Sequence, residues 1–166
     1  MPHPMSRVIA LLVAAMIAAP VSAQETAIDF GGLRQDTTQP VEVASDALEV
    51  NQSDGTATFS GNVVVSQGAM RLSAGRITAI YAGEASAGRI RELRAEEGVT
   101  LVAGEDAAEA QSAVYDIDEG SVVMTGDVLL TQGPTALSSE RLVIDLVNGT
   151  GSLEGRVRTI FETGER

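Results

Sequence analysis

Two stretches of the chain repeat one another at a spacing of 65 residues. Gly55 falls on Gly120, Gly61 on Gly126, Val63 on Val128, Gln67 on Gln132, Gly68 on Gly133, Leu72 on Leu137, Ser73 on Ser138 and Arg76 on Arg141. Eight identities within 22 positions, joined by conservative pairs such as Asn62 with Asp127 and Ile77 with Leu142, mark a structural repeat. Tandem units of this size have apolar faces that they cannot cover alone, so the copies must stack.

The punctuation inside each copy says what is stacked. From Val41 onward, runs rich in Val, Ile and Leu alternate with Asp54-Gly55, Ser60-Gly61-Asn62, Gln67-Gly68, Glu97-Gly98, Glu119-Gly120, Thr125-Gly126-Asp127, Gln132-Gly133, Asn148-Gly149 and Glu154-Gly155. Segments this short suit consecutive antiparallel strands and leave no room for helices of ordinary length, which predicts an all-β fold. A finer glycine period, Gly61, Gly98, Gly126 and Gly155, suggests two hairpin-like units per repeat, each glycine opening a strand.

Because side chains alternate across a strand, parity assigns faces. Ala57, Phe59, Gly61, Val63 and Val65 share one face and match Val122, Met124, Gly126, Val128 and Leu130. Ile77, Ala79 and Tyr81 match Leu142, Ile144 and Leu146, while Arg76 and Arg141 fall on the opposite face. Leu48, Val50, Val99, Leu101, Tyr115 and Ile117 are predicted to join the inward set. Two interiors fit this pattern: a self-filled core, or an apolar groove with room for acyl chains.

The first 23 residues read as an export signal, with Arg7 at the positive start, an apolar run from Val8 to Ala19, and Val21-Ser22-Ala23 before Gln24. That run is too short for the roughly 20 residues of a membrane-spanning helix. Cleavage after Ala23 would leave 10 Arg against 23 Asp plus Glu, a formal charge of −13, with no His, Cys, Trp or Lys. Ser-His-Asp and Cys-His catalysis, His or Cys metal sites, Schiff-base lysines and the P-loop lysine all lack an essential residue, so no enzyme and no cofactor are expected. An acidic surface also disfavours nucleic acid. Residues 24–40 show no sustained period and are expected to be a flexible leader.

Three constellations remain. Asp116-Ile117-Asp118-Glu119-Gly120 begins like a calcium loop but lacks its glutamate at the twelfth position, and its repeat mate Asn51 to Gly55 is another turn; a hairpin turn is the better reading. Glu96-Glu97 and Glu105-Asp106 lie in polar stretches and read as surface charge. Arg71, Arg76, Arg89, Arg91 and Arg94 concentrate positive charge in 24 residues opposed only by Glu84 and Glu92. They read either as outward strand residues or as a phosphate contact, since guanidinium suits bidentate pairing.

Ser45-Asp46-Ala47-Leu48, then Gly61-Asn62-Val63-Val64-Val65-Ser66-Gln67-Gly68, Leu72-Ser73-Ala74 and Ile77 to Tyr81 resemble the organic-solvent-tolerance-like (OstA-like) domain of the lipopolysaccharide transport system, the LptA family. The segment returns in the second copy as Gly126-Asp127-Val128-Leu129-Leu130-Thr131-Gln132-Gly133. The resemblance covers residues 41–162, with 163–166 as a tail, and implies an open, twisted antiparallel β-jelly roll whose interior receives lipid A acyl chains. Phe59, Val63, Val65, Ile77, Val128, Leu130, Leu142 and Ile144 would then line the groove. It also implies head-to-tail docking of such domains, in a homo-oligomer and with inner-membrane anchored and outer-membrane components, as a periplasmic bridge for lipopolysaccharide. An uncleaved signal would instead match the anchored inner-membrane member, and a dry core without ligand a structural β-repeat module of the envelope. N-terminal sequencing of the secreted protein should read from Gln24; a chain that keeps Met1 would be the anchored form.

Overall fold

The computed structural model describes residues 27–29, 34–83 and 88–161, and among them it contains strands and turns but no helix. The export signal and the C-terminal tail lie outside the described residues. The strands are β1 (Ala27–Asp29), β2 (Glu42–Ala44), β3 (Ala47–Asn51), β4 (Thr56–Gln67), β5 (Met70–Ala82), β6 (Arg89–Ala103), β7 (Asp106–Ala110), β8 (Ser112–Asp116), β9 (Ser121–Gln132), β10 (Thr135–Asp145), β11 (Thr150–Glu154) and β12 (Arg158–Phe161). They form one 12-stranded sheet, and every described pairing is antiparallel.

The chain runs back and forth in eight rungs: β2 with β3, β4, β5, β6, β7 with β8, β9, β10, and β11 with β12. Each rung bends near its middle, so one sheet folds into two layers. The first layer holds β3, β8, β11 and the adjoining halves of β4, β5, β6, β9 and β10; the second holds β2, β7, β12 and the remaining halves.

The bends have a common chemistry. Gly61-Asn62, Glu97-Gly98, Gly126-Asp127 and Gly155-Arg156 each place two successive residues at positive φ, from 42° to 88°. Left-handed backbone costs other residues about 1–2 kcal/mol, so glycine belongs there, with Asn or Asp a tolerated neighbour. The period of Gly61, Gly98, Gly126 and Gly155 therefore marks the corners of the fold. Gly61, Gly98 and Gly126 do not open strands or form turns between them as expected; they lie within β4, β6 and β9, which continue on both sides.

Across three of these corners a side chain of the neighbouring rung lies directly over the glycine. An added Cβ would stand 2.6 Å from Asp46 Oδ2 at Gly61, 2.7 Å from Gln111 Oε1 at Gly126 and 2.7 Å from Glu140 Oε2 at Gly155. The covering side chain also binds the residue after the glycine: Asn62 Nδ2 donates to Asp46 Oδ2 at 2.9 Å, Gln111 Nε2 to Asp127 Oδ2 at 2.6 Å, and Arg156 Nε to Glu140 Oε1 at 3.1 Å. The amides of Asp46, Gln111 and Glu140 complete each clasp by donating to the carbonyls of Gly61, Gly126 and Gly155. A fourth clasp is reversed, with Glu97 covering Gly75 and pairing with Arg76 at 3.3 Å.

The hairpin turns are equally regular. Asn51 Oδ1 accepts the amides of Ser53 and Asp54, Asp116 Oδ1 that of Glu119, and Asp145 Oδ1 those of Val147 and Asn148. In each case the glycine four residues later, Gly55, Gly120 or Gly149, has positive φ. The acidic motif at Asp116 is thus a turn, as the sequence indicated. Hydrogen bonds to the Asn148 amide and side chain hold the Asp145 carboxyl below its usual pKa.

Gly61→Ala and Gly98→Ala separate conformation from clasp. Both glycines have φ near +78°, but nothing lies within 4 Å of a Cβ at Gly98. Gly98→Ala should cost about 1–2 kcal/mol in urea denaturation. Gly61→Ala should cost roughly 1 kcal/mol more, because Asp46 must leave its hydrogen bond; equal losses would show that the clasp contributes nothing.

Candidate functional site

Folding the sheet along its corners turns one face inward in both layers. Val63, Val65, Ile77, Val128, Leu130, Leu142 and Ile144 are no more than 1% exposed, and Phe59 is half-buried against the same cluster. All eight predicted lining residues therefore share one continuous interior that runs through both sequence copies. Tyr115, Leu93, Leu101, Met70, Leu72 and Met124 complete it. These side chains pack against one another as one buried cluster, and two surface depressions, of about 460 and 640 Å³, lie on the outer face beside Ser138, Glu140 and Arg158 or Thr58, Thr78 and Glu96.

Leu48 and Val50 depart from the expected burial. Their cross-strand partners are Phe59 and Ala57, so they stand on the inward side, yet they are 56% and 53% exposed. The reason is position: β3 belongs to the terminal rung, and among the described residues no strand lies beyond it. At the opposite end, Val157, Ile160 and Phe161 are 49%, 60% and 70% exposed on the rung that holds β12. Among the described residues the outer edges of β3 and β12 are thus unpaired and carry apolar side chains, a setting that accepts another strand, while β1 pairs with β11 on the last rung.

Opposite the corners, the free margins of the two layers meet without a hydrogen-bonded ladder between them. Tyr115 in the first layer donates its hydroxyl to Gln67 Oε1 in the second at 2.5 Å. Gln67, 1% exposed, uses its amide nitrogen on the carbonyls of Thr37 and Gln39, at 3.0 and 2.9 Å. The Gln35 amide donates to Leu146 O on the first-layer margin at 2.9 Å. Residues 35–39 therefore form a strap across the seam. The sequence reading of residues 24–40 as an aperiodic leader foresaw neither this strap nor β1, which pairs with β11. Gln67 was visible only as a repeat identity with Gln132, which reaches Asp106 instead.

The five arginines do not converge. Arg71 lies opposite Ser66, by the hairpin that joins β4 to β5, whereas Arg89 and Arg91 lie near the other end of the rungs. Arg76 pairs with Glu97, Arg94 with Glu92 at 2.5 Å, and Arg89 with Asp118. The Arg89 hydrogen bond holds the Asp118 carboxyl below its usual pKa and raises that of Arg89. The local positive excess counted along the sequence is thus opposed by Glu96, Glu97 and Asp118 from adjoining strands. Exposed pairs of this kind contribute little to stability, being screened by solvent, and leave the guanidiniums open to competition.

Among the described residues no cluster of three or more carboxylate, His or Cys side chains could hold a metal. An apolar interior between two layers of one folded antiparallel sheet, with a seam closed by side chains, defines a class: β-jelly-roll proteins. A family profile described as LptA/(LptD N-terminal domain) LPS transport protein matches residues 42–150, and the chain belongs to that family. An uncharacterized protein of Rhizobium meliloti (strain 1021) is 30% identical over 95% of this chain and 90% of its own length. The lipopolysaccharide export system protein LptA of Escherichia coli (strain K12) is 22% identical over 64% of this chain and 60% of its own. In fold, the crystal structure of LptH from Pseudomonas aeruginosa, the LptA homologous periplasmic component of a lipopolysaccharide transport device, superposes with a TM-score of 0.66 at 18% identity, covering 77% of this chain and 99% of that one.

The seam has a pH signature. Burial, followed by the neighbouring Asp116 charge, pushes the Tyr115 hydroxyl from 10.0 to about 12, against a smaller opposite effect of the Gln67 hydrogen bond. The folded state thus keeps this proton where the unfolded state loses it. The contribution is constant below pH 10 and is lost as pH rises from about 10 to about 12, at up to roughly 1.4 kcal/mol per unit. Tyr115→Phe should flatten the alkaline limb of urea-denaturation stability over that window.

Proposed function

We propose that the chain is a periplasmic lipopolysaccharide-binding component of a bridge between inner and outer membranes. The observation that carries this reading is the continuous apolar face spanning both sequence copies, open at neither layer but bounded by unpaired strand edges at both ends. Phe59, Val63, Val65, Ile77, Val128, Leu130, Leu142 and Ile144 would contact lipid A acyl chains once the seam parts. Each methylene taken from water contributes ~0.8 kcal/mol, so several acyl chains supply ample binding energy. Headgroup phosphates would compete with Glu92, Glu97 and Asp118 for Arg94, Arg76 and Arg89, and would also meet Arg71 and Arg91. The acidic surface makes these contacts secondary to acyl burial.

Charge supports head-to-tail docking, between copies and with anchored and outer-membrane components that carry the same domain. The first rung exposes Glu42, Asp46 and Glu49, whereas the last exposes Arg158 and Arg156, the latter paired with Glu140, beside a half-buried Glu154. The carboxylates of the first rung disfavour pairing with an identical edge, and Arg158 offers them an opposite charge on the last.

The filled interior favours a second reading, a ligand-free structural repeat module. Photo-crosslinking separates the two. Lipopolysaccharide should be captured from a crosslinking residue at Phe59 or Leu142 and not from outward Val64 or Val143. Capture only from the outward pair would overturn the groove, and capture from none of the four would support the ligand-free module.

A further inference from the structure

The two end rungs are not equally open. Among the described residues the edge of β3 carries no further strand, but the matching edge of β11 is occupied by β1 of the same chain. The manner of that occupation is specific. In β1, Ala27 stands opposite Ser152, Ile28 opposite Gly151 and Asp29 opposite Thr150. On β4, the strand β3 places Ala47 opposite Ser60, Leu48 opposite Phe59 and Glu49 opposite Thr58. Ala-Ile-Asp thus lies against Ser, Gly and Thr as Ala-Leu-Glu lies against Ser, Phe and Thr. Both pairings are antiparallel, and both middle residues stand opposite a residue of the inward face, since Gly151 itself pairs with Ile144.

Relative to the corner glycine, β1 sits two residues further out than β3. A shift of two keeps every residue on its own face. The shift leaves Leu153 and Glu154 beyond the reach of β1, beside the open edge of β12. A five-residue strand with the pattern of β3 would pair the full length of β11, where the three-residue β1 pairs only Thr150 to Ser152.

We propose that β1 is an intramolecular stand-in for β3 of a second copy, holding the acceptor edge of β11 in the free chain and exchanged out when that copy docks. The inference rests on the head-to-tail reading above. Docking begins at Leu153, Glu154 and β12, where the apolar Ile160 and Phe161 and the basic Arg158 meet the acidic first rung of the incoming copy. β3 of that copy then replaces β1 residue by residue, so backbone hydrogen bonds are exchanged with little net loss. Departure of β1 also frees one end of the strap at residues 35–39, which links filling of the edge to opening of the seam.

The chain has no cysteine, so one engineered pair is unambiguous. Asp29→Cys with Thr150→Cys joins directly opposite residues, whose Cα separation in an antiparallel ladder, about 4.5–5.5 Å, accepts a disulfide. In sedimentation velocity over a concentration series, the oxidised variant should remain monomeric and regain wild-type association on reduction. Ile28→Pro, which deletes the middle amide of β1 outside the rungs, should lower the concentration for half-association by about tenfold if β1 is seated about nine-tenths of the time. Equal association of oxidised, reduced and Ile28→Pro chains would overturn the role of β1 alone. A chain that stays monomeric in all three overturns the head-to-tail reading with it, whereas failure of lipid crosslinking with association intact touches only the ligand.

Discussion

The bend in the middle of every rung is the constraint on which the rest of the molecule depends. A flat sheet with one apolar face has nothing to put against it. Two successive left-handed residues per even rung fold the sheet onto itself, and the inward residues of one layer become the cover of the other. The glycines make the turn possible, and the clasps make it unique: Asp46, Glu97, Gln111 and Glu140 each fill the space that a Cβ would have taken. The corner line is therefore tied by backbone ladders, side-chain hydrogen bonds and steric fit together.

The opposite margin is built differently. No strand ladder crosses it; the layers are joined there by packing, by Tyr115 with Gln67, and by the strap. A hydrogen bond of this kind contributes about 1 kcal/mol, whereas burial of each large aliphatic side chain contributes about 1.5–3 kcal/mol. Parting the seam is consequently opposed mainly by apolar contacts, and these are the contacts that an apolar ligand would replace in kind. Directional bonds are thus concentrated at the corners, while the margin is joined mainly by packing.

Much of this was legible in the sequence, for reasons that can be named. Period two and the 65-residue repeat identified the inward face, and residues from Ala57 to Leu146 occupy it as read. Parity reports a face but not whether anything covers it, which is why Leu48 and Val50 stand on the correct side and yet in solvent. The recurring glycines were visible, but a corner inside a strand and the start of a strand look alike in one dimension. The arginine cluster dissolved because its counter-charges, Glu97 on β6 and Asp118 after β8, come from neighbouring rungs rather than from the window around it. β1, three residues long, has no period to detect; its likeness to Ala47-Leu48-Glu49 gains meaning only when both registers are known.

Stacked repeats have an inherent problem at their ends, because whatever covers one rung must itself be covered. Solenoid proteins solve it with polar caps. Here the first rung keeps Leu48 and Val50 exposed beside Glu42, Asp46 and Glu49, carboxylates that keep the edge soluble and repel an identical edge. The last rung is half covered by β1 and otherwise displays Ile160 and Phe161 with Arg156 and Arg158. Here apolar side chains stay in solvent at both end rungs, Leu48 and Val50 among carboxylates on the first and Ile160 and Phe161 beside Arg158 on the last, so charge rather than a covering layer keeps these edges in water.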